Sequence, residues 1–127
     1  MAIRVETAPN CGNAPRHEIT RRFAVALAGS DATELESLLS PDAEWDVLGK
    51  AACRGLPAII ETVALAAAVV ELRVLSVITH GREASIDGEA VFKDGAVMNF
   101  CHVLRFANTA KTAAITKIRT YHAASNH

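Results

Sequence analysis

Apolar residues first recur at helical spacing in HEITRRFAVALAG, where Ile19, Phe23, Ala26 and Leu27 share one side and Gly29 can take the left-handed conformation that stops a helix. SDATELESLLS follows, with Asp31 able to cap, Glu34 able to reach back, and Leu35, Leu38 and Leu39 on one face before Pro41, which predicts a short second helix. AEWDVLG predicts a brief strand. RGLPAIIETVALAAA predicts a third helix, with Pro57 near the first turn, where its missing N–H costs nothing. Beyond it the period changes. VELRVLSVITH, REASIDGEAVFK, AVMNFCHVLRFA and TAAITKIRTYHAA are β-rich runs parted by short turns at Gly81, at Asp94-Gly95 and at residues 108–111. This order predicts an α+β fold, a curved and mostly antiparallel sheet forming a cone around three N-terminal helices. Residues 1–15 carry Asn, Gly and Pro without periodicity and predict a flexible arm ahead of a single domain over residues 16–127.

The turn at Asp94-Gly95 assigns the faces of the last long hairpin. A two-residue type I′ turn, which this dipeptide favours, would set Lys93 opposite Ala96. One face would then hold Val91 with Met98, Glu89 with Phe100, Asp87 with His102 and Ser85 with Leu104. The other would hold Phe92, Ala90, Gly88 and Ile86 with Val97, Asn99, Cys101 and Val103. In this register a carboxylate lies across from the imidazole of His102, raising its basicity and fixing its tautomer as a general acid/base requires.

Composition changes the picture mainly by exclusion. A chain of 127 residues suits one hydrophobic core, and a net charge of -1 gives no electrostatic case for nucleic acid. The opening MAIRVETAPNCGNAPRHE lacks the basic and apolar regions of a secretory signal. GLPAIIETVALAAAVVEL is interrupted by Glu61 and Glu71 and is too short to cross a membrane, so it reads as a core helix running into a strand. Cys11, Cys53 and Cys101 are odd in number and widely spaced, which argues against a disulfide framework or a structural zinc site and fits reduced thiols in a cytoplasm. No H-x-H or HExxH spacing suggests a metal, and no organic cofactor is expected.

FAVALAGSDATELESLLSPDAEW, RGLPAI, HVLRF and ITKIRTYH together resemble the nuclear-transport-factor-2-like superfamily, in its SnoaL-like polyketide-cyclase and ketosteroid-isomerase-like branches. The resemblance runs from about His17 onward and implies a cystatin-like α+β barrel with a cavity on its concave side. It also implies that Ile118, Thr120 and His122 of the last strand, Trp45 and Val47 of the first strand and Phe23 of the first helix turn inward. His102 matches the position of a carboxylic acid that donates a hydrogen bond to the substrate oxyanion in ketosteroid isomerase. The catalytic tyrosine of that branch falls on Phe23, its general-base aspartate on Val47 or, with one deletion, on Asp46, and the last-strand aspartate of the cyclases on Thr120. In residue types, His102, His122 and Asp87 are similar to the set used by scytalone dehydratase.

Two functional readings follow. One is a cofactor-independent proton-transfer enzyme, an isomerase, dehydratase or cyclase, acting on a mostly apolar organic molecule. It would use His102 and Asp87 as the catalytic pair, with Phe23, Trp45, Val47, Glu89, Phe100, Ile118, Thr120 and His122 around the ligand. The other is a non-catalytic ligand-binding or dimerisation domain of the same fold. The convex sheet face, expected to carry Phe92, Ala90, Gly88, Ile86, Val97, Cys101, Val103 and Tyr121, is apolar enough to predict a homodimer.

Overall fold

The structure, a computed structural model, describes residues 3–7 and 15–125. Its elements run β1 (Arg4–Thr7), α1 (Pro15–Ala28), α2 (Ala32–Leu38), β2 (Leu39–Val47), β3 (Cys53–Arg54), α3 (Leu56–Ala64), β4 (Val69–His80), β5 (Glu83–Phe92), β6 (Val97–Phe106) and β7 (Ile115–Ala124). Seven strands form one curved, open sheet in the order β1-β4-β5-β6-β7-β2-β3. Its long central pairs are antiparallel, while β1 runs parallel to β4 and β2 parallel to β7. The helices cover one side of it. Phe23 of α1, Leu35 of α2 and Ile59 of α3 are fully buried against Ala43, Trp45, Leu104, Phe106, Ile115 and Ile118 of the strands. A second cluster joins Ala24 to Leu72, Val74, Ile86, Ala90 and Phe100. No described helix is long and apolar enough to cross a membrane.

Local chemistry explains most boundaries. Asp31 caps α2 by accepting from the Glu34 amide at 3.1 Å, but the Glu34 side chain turns to Arg22 at 2.8 Å instead of closing a capping box. Gly55 precedes α3 with φ 90°, a conformation that favours glycine, and Pro57 sits in the first turn. Within the span expected as a flexible arm, Arg4–Thr7 forms β1, where Arg4 lies opposite Glu71 and Glu6 opposite Arg73. β1 is an exposed edge strand held by parallel backbone pairing, its one ion pair among the described residues, Arg4 with Glu6 at 2.9 Å, lying within the strand, so no apolar alternation announces it. Residues 1–2 and 8–14 of the expected arm lie outside the described residues, and Pro15 opens α1.

The β5–β6 turn differs from the expected one by a single residue. Phe92 donates to the Ala96 carbonyl at 2.9 Å and Gly95 to the Phe92 carbonyl at 2.9 Å, with Gly95 at φ 90°. Residues 93–95 therefore form a three-residue loop whose last position needs a left-handed residue, a geometry Asp-Gly serves as well as a type I′ turn. All pairings shift by one, so Ile86 lies opposite His102, Asp87 opposite Cys101 and Glu89 opposite Asn99. Side chains alternate on a strand, so the shift moves Asp87 and Glu89 to the outer face and Ala90, Gly88 and Ile86 to the inner one. The Asp87–His102 pairing is thereby corrected. Phe92 also packs on the inner cluster, so the outer face lacks four of its eight expected members and instead carries ion pairs of Arg73 with Glu71 and Glu89.

Curvature concentrates where β4 meets Gly88. Val74 pairs with Gly88 and Ser76 with Asp87, so Leu75 is an extra residue that bulges out, 56 % exposed. A Cβ on Gly88 would collide with the backbone carbonyl of Arg73. Gly88→Ala is accordingly expected to lower the free energy of unfolding by about 1–3 kcal/mol, as overpacking against rigid backbone does. Urea denaturation checks this, and an unchanged midpoint would contradict the bulge geometry.

Candidate functional site

His102 lies on the inner face at the middle of β6, 7 % exposed. Phe23 meets its ring edge-on with centroids 5.6 Å apart, and Phe100 lies tilted at 5.0 Å. The imidazole is held by a hydrogen-bonded chain from two neighbouring strands. Trp45 Nε1 donates to Thr120 Oγ1 at 2.8 Å, and Thr120 Oγ1 lies 2.8 Å from His102 Nδ1. All three residues are buried, and β2, β7 and β6 place them side by side, with Trp45 opposite Ile118 and Thr120 opposite His102.

The inventory of donors assigns the tautomer. An indole N–H can only donate, so it occupies one lone pair of the Thr120 oxygen and leaves that hydroxyl its proton to give. His102 Nδ1 is the acceptor within reach. A proton on Nδ1 would strand the buried threonine hydroxyl without a partner, at a cost of about 1–3 kcal/mol. Nδ1 therefore accepts, and Nε2 carries the ring proton, with no second hydrogen bond to the ring among the described residues.

Burial and then the nearby His122 push the His102 pKa down to about 3, so the ring is neutral near pH 7. No carboxylate on this face opposes that. Asp87 and Glu89 face outward, and Asp46, opposite Arg119, is exposed, whereas Val47 pairs with Thr120 and faces in. The expected histidine/carboxylate pair is thus absent from the inner face. Of the expected wall residues, Phe23, Phe100 and Thr120 touch His102 and Trp45 reaches it through Thr120, while Ile118 lies in the adjoining core and Val47 packs against it. His122 lies opposite Phe100, half-buried near the end of β7, with its pKa lowered by burial and then by Lys50. Glu89 accepts from Arg73 at 3.3 Å instead of lining a site. Among the described residues no three His, Cys, Asp or Glu side chains gather as metal ligands.

The role of Thr120 as the link between Trp45 and His102 escaped the sequence reading. A signal was present in the alternation of ITKIRTYH, which sets a lone hydroxyl between Ile118 and His122 on an otherwise apolar face.

No family model matches the chain, and no curated protein does. Solved structures do. An NTF2-like protein of unknown function from Burkholderia xenovorans superposes with a TM-score of 0.72 at 12 % identity, covering 91 % of this chain and 90 % of its own. A protein from Kribbella flavida, named as a candidate ketosteroid isomerase, gives 0.70 at 12 % identity over 87 % of this chain and 78 % of its own. A cystatin-like-fold protein of unknown function from Methylobium petroleophilum gives 0.66 at 17 % identity over 94 % and 82 %. The chain has the NTF2-like, cystatin-like fold.

Stability should follow the His102 titration. In the unfolded chain the imidazole binds a proton below about pH 6.5, while in the fold it does so only near 3, so between these values acid favours unfolding. The contribution is present above pH 6.5 and is lost as pH falls, at roughly 1.4 kcal/mol per pH unit for one proton. Denaturant titrations from pH 6.5 to 4 should show a steeper loss in wild type than in His102→Gln by about that amount. Identical slopes would contradict a buried neutral imidazole.

Proposed function

We propose that the inner face around His102 binds a mostly apolar organic molecule through an oxygen that accepts from Nε2–H. The observation that supports this reading is a buried imidazole with one nitrogen held by Thr120 and the other without a partner among the described residues. Nε2 is not among the buried polar atoms that lack a partner, so the small exposed part of the ring leaves this donor open to a ligand oxygen or to water. A neutral imidazole in this tautomer is a preorganised donor toward a carbonyl or enolate oxygen, and its reach is greatest where water is excluded.

If turnover accompanies binding, the reaction class is cofactor-independent proton transfer, as in an isomerase, dehydratase or cyclase. His102 then stabilises developing negative charge without giving up its proton. The base falls to His122, on the same face, whose depressed pKa keeps it unprotonated at neutral pH. A neighbour in fold named as a candidate ketosteroid isomerase agrees with this class only by analogy. The second reading, a binding domain without turnover, uses the same donor to orient its ligand.

A matched pair of probes tests the binding step. 1-Tetralone, a bicyclic ketone, should bind at least fivefold more tightly than tetralin, the hydrocarbon of the same shape, as one net hydrogen bond of about 1 kcal/mol requires. His102→Phe should erase that preference, while His102→Gln, which keeps an N–H donor, should retain part of it. Equal affinity of the two probes for wild type would refute the reading. For turnover, activity should fall as pH drops below 6.5 and His122 protonates. Full activity in His122→Gln would remove His122 as the base.

A further inference from the structure

The outer face of the sheet, on the side away from the helices, holds an open groove of about 580 Å3 bordered by β4 to β7 and by Leu48. Leu48, Ile78 and Tyr121 form a wet apolar rim, being 69, 63 and 41 % exposed. Ser76, Ser85, Asp87, Asn99 and Cys101 lie along the strands between them. Among the described residues Asp87 is the only carboxylate that lines the groove, no Lys or Arg lines it, and His122 is the one histidine at its border. Its hydrogen-bond partner is Ser76, which donates to Oδ1. Neighbouring carboxylates on this face are matched, Glu71 and Glu89 by Arg73 and Glu83 by Arg105, whereas Asp87 makes no ion pair among the described residues. Its charge reaches into the groove: the Cys101 thiol opposite is pushed up first by burial and then by this carboxylate.

We propose that this groove binds a small organic ammonium, with the cationic head on Asp87 and an aromatic or aliphatic body laid along Ile78, Leu48 and Tyr121. A carboxylate accepting one hydrogen bond keeps lone pairs for a charge-assisted second. The phenol ring of Tyr121 adds a face that attracts a cation. A second copy of the chain fits less well. A two-fold contact centred here sets the groove against itself, hollow to hollow, and brings Asp87 beside another Asp87. Phe100 and His122, whose side chains belong by strand alternation to the inner face, also border the groove, so it adjoins the site around His102, but the proposal rests on Asp87 and does not depend on that site.

Amide-resolved NMR titration of the full chain separates the possibilities, with phenethylammonium as the cationic probe and 3-phenylpropionate as its anionic counterpart. The cation is expected to shift the amides of Ser76, Asp87 and Tyr121 saturably and to bind at least tenfold more tightly than the anion. Asp87→Asn should weaken the cation at least tenfold at an unchanged thermal midpoint. Ser76→Ala, which leaves the carboxylate in place, and His102→Gln, on the other face, should both retain the preference. Should Asp87→Asn fail to fold, the comparison of the two probes on wild type decides alone. Equal binding of the two probes, or cation binding by Asp87→Asn as tight as wild type, overturns the proposal. So does sedimentation showing a micromolar dimer whose formation protects those same amides.

Discussion

Three residues at the β5–β6 turn, 93–95, set which side chains of the last hairpin see the core. The pleat allows no intermediate choice: a loop of two residues or of three sends each β5 side chain to opposite faces. With three, Ala84, Ile86 and Ala90 complete the inner wall, and Asp87 and Glu89 meet water. The β6–β7 pairing is set separately, and it lands Thr120 beside His102 and Ile118 beside Leu104 on the face that β5 thereby leaves without a carboxylate. The lack of a carboxylate beside His102 and the presence of Asp87 in the outer groove are thus two consequences of one turn.

Inside, the contest over His102 is decided by solvation. A facing carboxylate would have raised its pKa, and burial lowers it; with the carboxylates outside, burial is unopposed and His122 adds to it. The ring that results is a poor acid/base and a good neutral donor. Trp45 and Thr120 matter because they settle which nitrogen holds the proton, using two strands that are neighbours in the sheet but distant in sequence.

Much of this was legible in the sequence, and the exceptions share a physical cause. The three helices, the long strands and the inward placement of Phe23, Trp45, Ile118, Thr120 and His102 follow from apolar periodicity, caps and the family resemblance, all strong because burial enforces them. β1 was not legible, since RVET has no buried face and is held by backbone pairing to the edge of β4. Nor was the hairpin register, because Asp-Gly serves both turn lengths and the alternatives differ by interactions spread along the whole of β5. The error at Asp87 follows from that one ambiguity. The Trp45–Thr120–His102 chain was beyond reach for another reason, since it depends on a parallel pairing of β2 with β7 that local pattern does not encode.

Heteronuclear NMR on the chain labelled with 15N-histidine tests the central claim most directly, because imidazole nitrogen shifts report both charge and tautomer. His102 should show a protonated Nε2 and an unprotonated Nδ1, unchanged from pH 7.5 down to pH 5. An imidazolium spectrum at pH 6, or a proton on Nδ1, would contradict the account.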